Sequence, residues 1–325
     1  MIEQLFSEAV LVGILASGIR LATPYLYAAI GETFSQRSGV LNLGVEGQML
    51  LGAFAAFYVS FTTGNLMFGL LAAILTGLIM GLAMAFVSVN LQAEQGISGI
   101  GFYLFGLGFS DLLFQKLLGT VETVSGFRPV QIPVLSDIPI LGQIFFRQNI
   151  LVYGAYLMVV LAWFVLNKTT LGLKIRAVGE SPQAADSLGV SVARVRYITV
   201  SLGGMFSGLA GASLSIALLN VFQQNMTSGL GFIAVALVYF GGWRPFGVMA
   251  GALLFSMVNS LQLWVQVLNI PIPSDFAVMM PYVLTIVALV LSVQRVRPPS
   301  APVSYTHLRA HETVLDLVCR LLLEK

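Results

Sequence analysis

The chain has 325 residues, 57% of them hydrophobic and 9% charged, with a formal net charge of +2. An ordinary soluble domain is about one quarter charged, so this composition excludes a cytosolic enzyme, a nucleic-acid binder and a disordered chain. Long unbroken apolar runs, rather than the period-two alternation of an outer-membrane barrel, leave an all-α polytopic integral membrane protein.

A spanning helix needs about 20 mostly apolar residues. In chain order the candidates are 11–30, 43–61, 66–89, 96–118, 150–166, 197–219, 230–241, 247–268 and 276–293, about nine spans in all. The seventh is short and flanked by glycine, which predicts a tilted or broken helix. Met1, Ile2, Glu3 and Gln4 lack the basic start of a cleaved signal peptide, so the first span is expected to be retained.

Basic residues orient the bundle. The loop 167–196 carries Lys168, Lys174, Arg176, Arg194 and Arg196, and alternate loops place Arg37, Arg244, Arg295 and Arg297 on the same side. Only Lys116, Arg128 and Arg147 fall opposite. The richer side is expected to be cytoplasmic, which puts the N-terminus outside. The long outer loop 119–147 contains Pro129, Pro133 and Pro139, and its stretch 138–142 is too short to span. It is expected to dip into the interface or to cap a cavity.

Pro298, Pro299 and Pro302 close the membrane body. The organisation read from this is a membrane domain over 1–297, a Pro-rich linker over 298–303 and a tail over 304–325. The tail holds Cys319, His307 and His311, the chain's one Cys and both its His. It reads either as a solvated amphipathic helix or as a non-native stretch; VSYTHLRAHETVLDLVCRLLLEK resembles translated adapter read-through, and the non-native reading is the one favoured. The body therefore lacks the groups for disulfides, His- or Cys-ligated metals, Cys nucleophiles and Ser-His triads. No cofactor is implied, and no G-x-x-x-x-G-K-[ST] motif is present to cradle nucleotide phosphates.

Charges inside spans are costly and are functional suspects. Arg20, Glu46 and Asp111 lie within spans, and Glu32 and Glu94 lie at span ends. Arg20 is expected to snorkel or to pair with a carboxylate from another helix, a structural role preferred over substrate contact. Asn42 and Glu46 are four apart, which on a helix puts them on one face. Gln48 lies close by, and Gly44, Gly47 and Gly52 thin the same helix so that a backbone or a ligand can approach. This face suits a substrate path or gate, and it equally suits an interhelical hydrogen-bond cluster. The G-x-x-x-G pairs Gly77/Gly81, Gly204/Gly208 and Gly247/Gly251 are read as close packing.

In the 167–196 loop, Ser181 is placed to N-cap, Pro182 to begin a helix and Gly189 to end it. The expected two-turn helix, 182–188, carries the small residues Ala184 and Ala185. It reads either as a solvated surface helix or as a piece that fits a groove on another protein.

Two segments, GETFSQRSGVLNLGVEGQMLLGAFAAF and TTLGLKIRAVGESPQAADSLGVSVARVRY, resemble ABC-type uptake permeases of the simple-sugar and nucleoside group. GLGFIAVALVYFGGWRPFGVMAGALLFS is similar to a third segment of that family, and FRPVQIPVLSDIPILGQIFF is most like its nucleoside permeases. The resemblance runs from about Leu11 to Val296. It implies a type II-like importer permease fold and a non-enzymatic translocation subunit of the cytoplasmic membrane. The implied partners are a second permease, two ATP-hydrolysing subunits, an extracytoplasmic solute-binding lipoprotein and a small-molecule solute. It also implies that Gly179, Glu180 and the 182–188 helix form the ATPase-coupling region. The alternatives are an ion-coupled secondary transporter, for which Glu46 and Asp111 would serve, and a membrane enzyme, against which the missing His and Cys argue.

Overall fold

The computed structural model describes residues 7–133 and 135–268, with scattered helical positions between 279 and 290. The ninth expected span, Arg295, Arg297, the Pro-rich linker and the tail therefore lie wholly or largely outside the described residues. The other eight expected spans are all helical.

The helices are α1 (Glu8–Arg37), α2 (Val45–Thr63), α3 (Leu66–Ala85), α4 (Gln95–Leu117), α5 (Leu141–Phe145), α6 (Ile150–Lys168), α7 (Thr170–Glu180), α8 (Pro182–Ser187), α9 (Val192–Ser213), α10 (Leu230–Phe240) and α11 (Pro245–Val267). A π-helical turn extends α3 over Phe86–Asn90 and another extends α9 over Leu214–Leu218. Among the described residues six helices are long and apolar enough to cross a membrane: α1, α3, α4, α6, α9 and α11. In α2 the polar Glu46 and Gln48 of the first turn dilute the apolar run, and α10 is only 11 residues long.

Caps set the starts of several spans. Asn65, Asn149 and Ser191 accept amide hydrogen bonds at the N-termini of α3, α6 and α9. The exposed Glu94 accepts from the amides of Gly96 and Ile97 and caps α4; these two bonds hold its carboxyl below the usual range.

α9 is the most buried span and packs against α1, α2 and α3, with α1 also touching α6, α10 and α11. The crossing of α3 and α9 is made of glycine. A Cβ at Gly77 would run into the Gly204 backbone, and one at Gly208 into the carbonyl of Ala73. Without apolar attraction between helices in lipid, such backbone proximity is what holds a pair together. The packing reading of these G-x-x-x-G pairs is the one observed. Gly47 likewise receives the backbone of α4, and Gly52 that of α9 at Gly208.

The outer loop forms a short antiparallel pair, β1 (Val130–Gln131) with β2 (Arg147–Gln148), plus a 3-10 turn at Leu135–Asp137 and α5. The Gln148 side-chain amide donates to the carbonyls of Ala16 and Ile144, which holds this loop against the N-terminal half of α1. Farther up the loop, Thr123 bridges Val221 and the Val124 amide donates to the Asn220 carbonyl. The loop thus packs onto the segment that follows α9.

Candidate functional site

That segment, 219–229, interrupts what the apolar pattern suggests should be a membrane crossing. It follows the π turn of α9 and contains Asn220, Asn225 and Ser228 at positive φ, before Gly229 at φ +91° begins α10. Eleven helical residues reach only about 16 Å, half of a hydrocarbon core of about 30 Å. α10 therefore starts near mid-membrane and ends at the basic face, as the expected broken seventh span. Non-helical backbone at that depth persists only where protein buries it. Here Phe222 is fully buried against Phe54, Phe57 and Phe114.

The exposed amides of the half-helix are met by Glu46. Its carboxylate accepts from the Thr227 hydroxyl at 2.5 Å, the Gly229 amide at 2.7 Å and the Gly231 amide at 2.6 Å. Glu46 is 1% exposed. The helix dipole adds to this arrangement, since a negative charge is favourable at a helix N-terminus. The residue singled out as a gate candidate is thus the cap of a broken helix on another element.

Asn42 differs from its expected position. It lies in the turn before α2, so it does not share a helix face with Glu46. Its side-chain oxygen accepts from the Gly44 amide, which closes an Asx turn and delays the helix to Val45. Its side-chain amide donates to Gln48 Oε1 at 3.1 Å, and its backbone amide donates to Glu32 Oε1 at 3.0 Å. Asn42 and Gln48 are thus brought together, while Glu46 points to a different partner.

This cluster continues towards the basic face. Gln36 Nε2 donates to Glu32 Oε1, and Trp243 Nε1 donates to Gln36 Oε1 at 2.7 Å. Arg37 Nε donates to the Trp243 carbonyl at 3.0 Å. Ser38 shares a hydrogen bond with Thr199 on α9, and Arg196 donates to the Ser38 carbonyl. Gly179 sits so close to the Arg37 carbonyl that any Cβ there would collide with it. A continuous chain of hydrogen bonds therefore runs from Arg37 at the end of α1 through Trp243, Gln36, Glu32 and Asn42 to Gln48, and the α7 backbone at Gly179 abuts its Arg37 end. Two of its atoms, Glu32 Oε2 and Gln48 Nε2, are buried without a hydrogen-bond partner among the described residues. The i, i+4 spacing of Glu32 and Gln36 was a readable signal for part of this chain; nothing local pointed to Trp243 or Thr227.

The coupling-region residues divide into two sets. Ser181 accepts from the Ala184 amide, Pro182 opens α8, Leu188 follows its last residue and Gly189 takes φ +81°, as the spacing predicts. Ala185, however, is 2% exposed and packs into the bundle, so it is not part of an outer face. Pro182 and Gly179 are also buried. The outward residues include Glu180, Gln183, Ala184, Asp186, Ser187, Leu188 and Gly189, Leu188 being 84% exposed. Leu188 was not singled out by the sequence reading, which looked to the small residues Ala184 and Ala185.

Arg20 is exposed on α1, and no carboxylate pairs with it among the described residues, which leaves snorkelling as the alternative of the two. Asp111 is half-buried on α4, with Oδ1 buried and unpartnered among the described residues. No group of His, Cys, Asp and Glu able to hold a metal occurs among the described residues.

Together the apolar spans, the short α10 and the capped basic-side loop define a multi-pass helical membrane protein. Residues 14–289 match the family described as branched-chain amino acid transport system / permease component, and the chain belongs to that family. It is 38% identical over 299 residues to the guanosine ABC transporter permease NupQ of Bacillus subtilis, covering 86% of this chain and 92% of the relative. It is 37% identical over 300 residues to the nucleoside ABC transporter permease NupC of Lactococcus lactis, covering 89% and 94%. A Haloferax volcanii protein provisionally named as a glucose ABC transporter permease is 41% identical over 262 residues, 79% of each chain. No solved structure gives a significant match.

Proposed function

We propose that this chain is the translocating subunit of an ATP-driven importer for nucleosides or simple sugars, in the cytoplasmic membrane of a prokaryote. It performs no covalent chemistry. A second permease chain completes the path, two separate subunits hydrolyse ATP, and an extracytoplasmic binding lipoprotein delivers the solute. The full bundle has about nine spans in a type II-like arrangement, with residues 1–297 as the transport domain and 304–325 as a non-native tail. Relatives named for guanosine, nucleoside and glucose transport support the solute class, and the comparisons lend nothing to an ion-coupled alternative.

The observation that carries the mechanism is the hydrogen-bond chain from Arg37 to Asn42 and Gln48, whose Arg37 end is packed against Gly179 of α7. Motion imposed on the α7–α8 loop by an ATPase has a packed route through the end of α1 into the membrane. The unmet acceptor of Glu32 and the unmet donor of Gln48 are the complement of a hydroxyl group, which nucleosides and sugars carry in abundance. Asn42, Glu46 and Gln48 then form a gate beside the path: Asn42 and Gln48 as its polar lining, Glu46 as the fastening of the half-helix.

The docking face is Glu180, Ala184 and Leu188 on the α7–α8 loop. Replacing Ala184 by Trp in the assembled importer is expected to leave membrane insertion intact while uptake and solute-stimulated ATP hydrolysis fall together. Gly189→Val, which forces a β-branched residue into the left-handed region, is expected to act in the same direction. Wild-type ATPase stimulation and co-purification in the Ala184→Trp variant would remove the coupling role from this loop.

A further inference from the structure

The basic face contains a cavity of about 810 Å³ between the ends of α1, α6 and α7 and the start of α11. Three guanidinium groups line it, from Arg37, Arg176 and Arg244. Arg176 and Arg244 lie close enough to repel Arg37, and Glu180 close enough to attract it. Arg37 is held by the Trp243 carbonyl and Arg176 by the carbonyl of Gly172 in its own helix. Arg244 is exposed, and its guanidinium has no hydrogen-bond or ion-pair partner among the described residues. Three guanidinium groups with Glu180 beside them still leave a local excess of positive charge, which an anionic ligand would offset.

The surroundings say what kind of anion fits. The cavity rim is aromatic: Trp163 and Phe246 touch with ring centroids 6.0 Å apart, and the Lys168 ammonium lies 6.0 Å from the Trp163 ring. Trp and Lys at a helix end mark the membrane–water boundary. Directly on the membrane side, α6 exposes Leu157, Leu161 and Phe164, and α11 exposes Leu254. The site is therefore cationic where headgroups lie and apolar where acyl chains lie.

We propose that this cavity binds the phosphate of an anionic phospholipid headgroup, with Arg176 and Arg244 as its principal ligands and the acyl chains laid along α6 and α11. Basic pockets between spans on the cytoplasmic side are suited to such headgroups. A guanidinium pair engages phosphate oxygens in bidentate fashion, which an ammonium cannot match. Bound lipid would neutralise the repulsion around Arg37 and so steady the turn on which the hydrogen-bond chain from Arg37 depends.

The assembled importer, extracted in mild detergent and examined by native mass spectrometry, supplies the test. With equal phosphatidylglycerol and phosphatidylcholine added, the wild type is expected to retain phosphatidylglycerol in about tenfold preference, and Arg176→Gln/Arg244→Gln to lose that preference. Arg244→Lys should keep part of it. If the double variant fails to assemble, the single Arg244→Gln is read instead and should weaken retention severalfold. Equal retention of the two lipids by the wild type overturns the proposal, as does a preference that survives removal of Arg244. Displacement of the lipid by millimolar inorganic phosphate would assign the site to a free anion and overturn it too. So would retention by the isolated permease but not by the importer, which would assign the cavity to an acidic group of a partner subunit.

Discussion

Glu46 shows how much one side chain can decide in a membrane interior. Three donors converge on its carboxylate, and no bulk water is at hand to replace them. Average interhelical hydrogen bonds in membranes contribute only about 0.6 kcal/mol, but hydrogen bonds to a charged group contribute about 1.5–3 kcal/mol. Glu46→Gln keeps the shape while turning an amide NH2 towards backbone N–H groups. It is therefore expected to destabilise the purified protein by about 1.5–3 kcal/mol, seen as a lower thermal midpoint. Thr227→Val, which removes one donor of three, should cost about 0.5–1.5 kcal/mol. A Glu46→Gln protein with an unchanged midpoint and altered uptake would make the residue a gate that does not fasten α10.

Among the elements, the α3–α9 crossing has the least tolerance for change. Gly77, Gly204 and Gly208 meet backbone to backbone, so added volume cannot be absorbed by rotating a side chain. Gly77→Leu is expected to abolish assembly, as judged by loss of a monodisperse peak on size-exclusion chromatography. Gly101→Ala in α4, where a Cβ would meet nothing within 4 Å, should leave that peak intact. Comparable loss from both substitutions would show that the crossing is not special. The broken seventh span and the α7–α8 caps were legible beforehand because glycine, proline and serine act locally. The Asx turn at Asn42 was not, since the i, i+4 spacing with Glu46 is equally compatible with one continuous helix.

For the whole molecule, the side occupied by each loop is the property most open to direct measurement. Arg37, Arg176 and Arg244 come from three separate stretches of chain and line one cavity, which agrees with the single basic side expected from the loops. Because Cys319 is the only cysteine, a Cys319→Ser background permits unambiguous labelling. In intact cells a membrane-impermeant maleimide is expected to modify Thr120→Cys in the outer loop. It should leave Ser187→Cys in α8 unmodified until the membrane is opened. The reverse pattern would invert the orientation and detach the α7–α8 loop from any cytoplasmic ATPase.

Length, hydropathy and charge placement were enough to establish a multi-pass helical membrane protein, the position of most spans, the basic side and the α8 caps. Each of these depends on a residue and its near neighbours, so a one-dimensional reading contains it. Which helices meet is a long-range matter, and only the tertiary structure decided it. It moved Asn42 off the helix, gave Glu46 to the start of α10 181 or more residues away, and turned Ala185 inward while leaving Ala184 and Leu188 outside. It also gathered Trp243, Gln36 and Glu32 into one buried chain. In a span that is apolar on nearly every face, hydropathy cannot distinguish lipid from a neighbouring helix, and so the pattern that locates a span does not say what it will touch.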